Sequence, residues 1–137
     1  MTASHETVAG PERPVFGALW RGFRQLCPSC GKGALFCRYL KVVDACPACG
    51  EALHHQRADD APPYVTIVVV GHIVVPLVLL MEREWAPATY VHWLLWLPLT
   101  LALSLFFLPR IKGALVALQW ACRMHGFGDP EPNEPQP

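Results

Sequence analysis

"APPYVTIVVVGHIVVPLVLLM", residues 61–81, carries no charged side chain. A second charge-free run, "WAPATYVHWLLWLPLTLALSLFFLP", fills residues 85–109. A helix needs about 20 apolar residues to cross a hydrocarbon core of ~30 Å, and each run reaches that length. Two buried helices of a soluble protein would show the same composition, but a chain of 137 residues has too little other material to cover both. Backbone polar groups in lipid must be paired within their own segment, so both runs are predicted as helices. They span 62–81 and 86–108 and are joined through "EREW" into a hairpin. Pro76 and Pro98 mark kinks inside the spans. Trp85, Tyr90, Trp93 and Trp96 gather toward the start of the second, as an interfacial belt does.

Working outward, the cations fall on two sides of the hairpin. Arg13, Arg21, Arg24, Lys32, Arg38, Lys41 and Arg57 precede the first span, and Arg110, Lys112 and Arg123 follow the second. The connecting loop has only Arg83, between Glu82 and Glu84. This asymmetry predicts a two-pass protein with both termini cytoplasmic. The first fourteen residues are polar and no apolar stretch follows a basic start, so a signal peptide is not expected.

Upstream of the spans, "CPSCGKGALFCRYLKVVDACPACG" at 27–50 holds five of the six cysteines. Four of them repeat one unit, Cys-Pro-x-Cys-Gly: Cys27 with Cys30, and Cys46 with Cys49. On the reducing side of a membrane such spacing reads as metal binding rather than disulfides. Residues 31–45 separate the pairs, matching the roughly 15–20 of a four-cysteine zinc site. Pro28 and Pro47 preset the turns, and Gly31 and Gly50 supply positive φ so that backbone amides approach the sulfurs. The strand-like "ALFCRYLKVVD" between them completes a small β zinc ribbon over 27–58. So small a module needs a metal to fold. Four thiolates leave no coordination position open, which is the signature of a structural site. Free or redox-cycling thiols are the alternative. Cys37 in the putative strand and Cys122 after the second span are read as packing residues.

Around this module, Phe16, Leu19, Trp20, Phe23 and Leu26 recur at helical spacing in a basic amphipathic segment, 14–26. Its aromatics suit either the inner membrane surface or the flank of the ribbon, and Gly17 and Gly22 weaken its helix propensity. Asp59 and Asp60 before Pro62 and Pro63 suit a helix start. After the second span, 110–126 is predicted as an amphipathic helix kinked away at Pro109 and lying near the membrane, with Ile111, Leu115, Leu118 and Cys122 on one face. The ends, 1–13 and 127–137, read as disordered. His72 and His92 are ionisable groups inside the spans. As a haem-ligating pair they would be mismatched in depth by about 7–8 Å at 1.5 Å per residue, which favours hydrogen-bonded neutral rings.

"RGFRQLCPSCGKGALF", "CPACG", "RADDAPPYVTIVVVGHIVVP" and "PRIKGALVALQW" together resemble a bacterial family of small membrane proteins, the domain of unknown function number nine hundred and eighty-three. The likeness covers about residues 13–127, and where such proteins usually show Asp-Asp-Gly-Pro this chain has Asp59-Asp60-Ala61-Pro62. The resemblance implies the bacterial inner membrane. Because some members are encoded near haem–copper oxidase assembly genes, it also implies a part in building respiratory complexes.

The fold class expected is therefore a mainly α membrane protein: a transmembrane hairpin with an N-terminal zinc ribbon and a C-terminal amphipathic helix. No nucleophile with a base, phosphate loop or paired carboxylates beyond Asp59-Asp60 points to an enzyme. The expected role is an adaptor. The lipid bilayer and a protein would be its partners, with Lys32, Arg38, Tyr39 and Lys41 as candidate contacts. The alternative is redox or metal transfer on Cys27, Cys30, Cys46 and Cys49, with iron bound as in rubredoxins in place of zinc. Zero net charge and only a small basic excess over 21–57 argue against nucleic acid.

Overall fold

The computed structural model describes residues 13–54, 61–124 and 127. Its elements are α1 (Val15–Phe23), β1 (Phe36–Arg38), β2 (Lys41–Val42), α2 (Ala61–Trp85) and α3 (Thr89–Ala121). The chain is mostly helical, with two long apolar helices and a small two-stranded antiparallel sheet beside the cysteines. Asp59, Asp60 and the predicted disordered ends, apart from Arg13 and Phe127, lie outside the described residues.

Pro62 and Pro63 sit in the first turn of α2, where a missing amide breaks no helical bond. Pro62, Thr66, Val70 and Val74, each four residues from the last, form its buried stripe. This stripe packs on α3, and the Thr66 hydroxyl donates to the Pro62 carbonyl at 2.7 Å. The rest of the circumference exposes Ile67, Val68, Val75, Leu79 and Leu80. A helix apolar on its outside as well as its packed side is a bilayer solution rather than an aqueous one. Both α2 and α3 are long and apolar enough to cross a membrane.

The structure corrects the expectation of a separate C-terminal amphipathic helix over 110–126. α3 has 33 residues and runs unbroken through Pro98 and Pro109 to Ala121. At 1.5 Å per residue it is about 50 Å long, so a ~30 Å core entered at Thr89 is crossed by about Leu108. The remainder is a stalk beyond the span. Protein covers its apolar face: Ile111, Gly113, Val116, Ala117 and Trp120 are buried. Of the predicted face only Ile111 belongs to that set, and Cys122 is exposed.

α1 provides much of that cover. Ala18 and Gly22 form its buried side, and Gly22 meets Gly113 backbone to backbone. A Cβ on either glycine would run into the carbonyl oxygen of the other. Phe16 and Trp20, by contrast, are 85% and 57% exposed. One apolar cluster then joins the module to the stalk: Ala18, Cys27, Leu35, Cys46, Leu53, Val116, Ala117, Trp120 and Phe127. Polar ties reinforce it. Arg13 Nη1 donates to the Trp120 carbonyl at 2.7 Å, and its guanidinium carbon lies 4.4 Å from the indole centroid. Trp120 Nε1 donates to Glu51 Oε1 at 3.0 Å, and Lys112 Nζ to the Leu40 carbonyl at 2.6 Å.

Candidate metal centre

Each Cys-Pro-x-Cys-Gly unit folds as the same small turn. The first cysteine's carbonyl accepts the amide of the glycine: Gly31 to Cys27 at 2.8 Å, and Gly50 to Cys46 at 2.9 Å. Both glycines have positive φ, +68° and +76°, as their places in the repeats predicted. The flanks close each turn by a bridge, Leu26 with Ala34 and Ala45 with Ala52. Each turn aims its two sulfurs inward, and the β1–β2 hairpin between them brings the pairs face to face.

The four sulfurs of Cys27, Cys30, Cys46 and Cys49 all lie within 4.8 Å of one another. Across the pairs, Cys27 Sγ is 3.8 Å from Cys49 Sγ, and Cys30 Sγ is 3.7 Å from Cys46 Sγ. A tetrahedral ion with metal–sulfur bonds of about 2.3 Å needs sulfur–sulfur edges of about 3.8 Å. The donor set therefore fits a tetrathiolate ion. Tetrahedral four-sulfur geometry serves zinc and iron alike.

Burial is graded. Cys27 and Cys46 are 0% and 3% exposed, Cys30 is half-buried, and Cys49 faces solvent. Gly33 lies directly against Cys46 Sγ, with no room for a Cβ. Backbone amides supply the polar shell. Lys32 N–H points at Cys30 Sγ at 3.5 Å. The amides of Gly33 and Lys32 pull the Cys30 thiol down to about 6. Burial pushes Cys27 up to about 12 against the opposing amides of Cys30 and Ser29, with the Cys46 and Cys49 sulfurs adding to the rise. Cys49 is also raised, by burial first. At Cys46 burial works upward but is outweighed by the Cys49 and Ala48 amides and the neighbouring sulfurs, so that thiol is lowered. Four thiolates this close repel one another, and a dication is what allows all four to ionise together.

Other candidates stand apart. Cys37 is exposed rather than packed, its Sγ donating to the Lys41 carbonyl at 3.6 Å, because β1 leaves one side uncovered. His72 and His92 are engaged separately. His72 Nδ1 donates to the Val68 carbonyl at 2.7 Å. Trp96 Nε1 donates to His92 Nδ1 at 3.1 Å, so His92 Nε2 carries the proton that faces Glu82 Oε2 at 3.0 Å. Sequence reasoning missed Arg21, whose Nη1 reaches the Pro28 and Ser29 carbonyls at 3.1 and 3.2 Å and so clamps the first turn. The one signal was its place on a short basic helix just before Cys27.

A family model described as "Protein of unknown function (DUF983)" matches residues 36–120, more than half of the chain, and the chain belongs to that family. The matched span contains Cys46 and Cys49 and begins after Cys27 and Cys30. No curated protein and no solved structure matches the chain.

Proposed function

We propose that this DUF983-family chain is a non-enzymatic adaptor of the bacterial inner membrane, with both termini cytoplasmic and structural zinc in its cysteine module. The observation that carries this reading is the closed four-sulfur set fused to the stalk of α3. A site with all four positions filled by thiolate has no room for substrate or activated water. The shared core around Val116, Ala117 and Trp120 holds the module rigidly just beyond the spans. Its free side presents the exposed residues Lys32, Arg38 and Lys41, a basic edge suited to an acidic segment of a protein partner. Assembly of membrane complexes, respiratory ones first, is the process this placement serves.

The test is affinity capture from gently solubilised membranes, comparing the tagged protein with Cys46→Ser. A partner retained by the native protein and lost by the variant supports the adaptor reading. An unchanged partner set overturns it. Metal analysis of the same sample, expected to return one colourless zinc per chain, separates zinc from iron.

The second reading, metal or electron transfer, is favoured by Cys49 alone. Its exposure gives a competing thiol access to one corner of the site. Rapid exchange of the bound ion with a chelator, or a red ferric form, would select that reading.

A further inference from the structure

We propose that the tip of the β1–β2 hairpin and the end of α1 form a headgroup site for one anionic phospholipid, with Arg38 on its phosphate. A cavity of about 280 Å³ opens there, walled by Gln25, Arg38, Tyr39, Leu40 and Pro109. It sits at the depth such a ligand needs. The hairpin descends along α3 toward the span: the Phe36 ring lies against Gly113, and the Tyr39 hydroxyl reaches the Leu105 carbonyl. From Gly113 down to Leu105 is about 12 Å of helix at 1.5 Å per residue. With α3 leaving a ~30 Å core at about Leu108, Pro109 and the cavity stand in the headgroup layer. Tyr39, exposed, marks the boundary with the core, as interfacial tyrosines do.

The wall carries unspent donors. Lys112 is taken by the Leu40 carbonyl, and Arg21 by the Pro28 and Ser29 carbonyls. Among the described residues neither the Arg38 guanidinium nor the Gln25 side-chain amide has a hydrogen-bond or ion-pair partner. Gln25 holds φ +63° just past the end of α1, where its own amide and that of Leu26 close on the Gly22 and Arg21 carbonyls at 2.9 Å each. Glycine is the usual residue at such a helix end, because it takes positive φ without strain. The glutamine in its place puts an amide on the cavity wall. A guanidinium fork with a neutral N–H donor beside it suits the oxygens of a phosphate.

Below the cavity, the side of α3 that carries Pro109 continues into the core as Leu105, Leu101 and Leu94, all exposed. Steps of four and seven residues keep them on one helical face. The track runs from the cavity toward the bilayer centre, which is the course of acyl chains hung from a phosphate held above them. A free phosphate would use the cavity and leave the track bare; a phospholipid uses both. Arg38 is thereby assigned to lipid, and Lys32 and Lys41 of the basic edge are left to a protein partner.

The inference rests on α2 and α3 spanning a bilayer, which alkaline extraction of membranes checks separately, and it is independent of whether an adaptor partner exists. The test uses the full-length protein in an uncharged detergent, with bound lipid counted by native mass spectrometry. Native protein is expected to hold one dioleoyl-phosphatidylglycerol about fivefold tighter than dioleoyl-phosphatidylcholine, the effect of about one basic residue on an anionic lipid. Arg38→Gln should remove that preference while keeping its metal. Lys32→Gln, the same charge change off the cavity wall, should retain it. Gln25→Gly, which suits the positive φ, should weaken both lipids by about threefold, as for one neutral hydrogen bond, and leave the preference intact. A preference that survives Arg38→Gln, or that Lys32→Gln removes equally, overturns the proposal. So does unchanged affinity in Gln25→Gly, equal affinity of the native protein for the two lipids, or displacement of the lipid by an equal concentration of inorganic phosphate, which would mark a free-anion site.

Discussion

The Tyr39 hydroxyl donates to the Leu105 carbonyl at 2.8 Å, across the seam between the cysteine module and α3. In an unbroken helix that carbonyl would receive the amide of residue 109. Pro109 has no amide to give, and Tyr39 supplies the missing donor. Continuity of α3 through Pro109 and docking of the hairpin are thus one arrangement. Tyr39→Phe should cost about 1 kcal/mol in unfolding free energy, as for a lost hydrogen bond. The coupling is the sharper prediction. In a Pro109→Ala background the helix regains its own amide, and the Tyr39→Phe penalty should shrink by about half or more in a double-mutant cycle. Equal penalties in the two backgrounds would separate the tyrosine from the proline.

Gly22 and Gly113 predict a sign reversal against ordinary helix propensity. Gly→Ala inside a helix normally stabilises by up to about 1 kcal/mol. At Gly113 the added methyl would collide with the Gly22 carbonyl, and at Gly22 with the Gly113 carbonyl and the Ala117 side chain. Either substitution should destabilise by about 1–3 kcal/mol as the helices are forced apart. Gly71 in α2 is the internal control, since a Cβ there meets nothing within 4 Å. Gly71→Ala should leave the denaturation midpoint unchanged or raised, while Gly113→Ala lowers it.

These glycines show where sequence reading stops. The spans were legible because length and absence of charge are local properties, and the cysteine module because its repeat is local too. Gly22 read as a weakness of α1 because propensity ignores the partner helix, whose Gly113 is far along the chain. The break expected at Pro109 failed for the same reason: the group that repairs it, Tyr39, lies 66 residues from Leu105. The sequence left open which side of α1 would be buried. Small Ala18 and Gly22 take the buried side of α1 while Phe16 and Trp20 stay outside. Cys37 read as core because cysteine usually is, yet the two-residue partner strand β2 is too small to cover it.

Metal removal should unfold the module and spare the hairpin. The tetrathiolate can supply on the order of 10 kcal/mol to a unit this small. The backbone bonds of α2 and α3 are internal to each helix. Cys46→Ser, at a buried ligand, should take metal content from one equivalent per chain to none. Far-ultraviolet circular dichroism should fall by little, because most of the helix lies in α2 and α3. Trp120 emission should shift to the red as its contacts with Glu51 and the module core are lost. Loss of helical signal in proportion to metal would contradict this division.

The unequal thiols predict how metal binding responds to acid. A thiol held low is already thiolate at neutral pH and gives up no proton to the incoming ion, whereas one held high must release its proton. Cys30, pulled to about 6 by the Gly33 and Lys32 amides, belongs to the first kind, and Cys27, pushed to about 12 by burial, to the second. Loading the metal-free protein at pH 7.5 should therefore release fewer than the four protons expected of four ordinary thiols. Calorimetry in two buffers of different ionisation enthalpy measures that number. Below about pH 6 Cys30 is protonated as well, so one more proton competes with the metal. Apparent affinity should fall on acidification throughout, with the slope steepening by about one proton as pH drops through that value. Arg21→Gln loosens the first turn at Pro28 and Ser29 without touching the Lys32 and Gly33 amides, so it should weaken affinity but leave the inflection where it is. An inflection absent from the native protein, or moved by Arg21→Gln, would show that the amide cradle does not set the Cys30 thiolate.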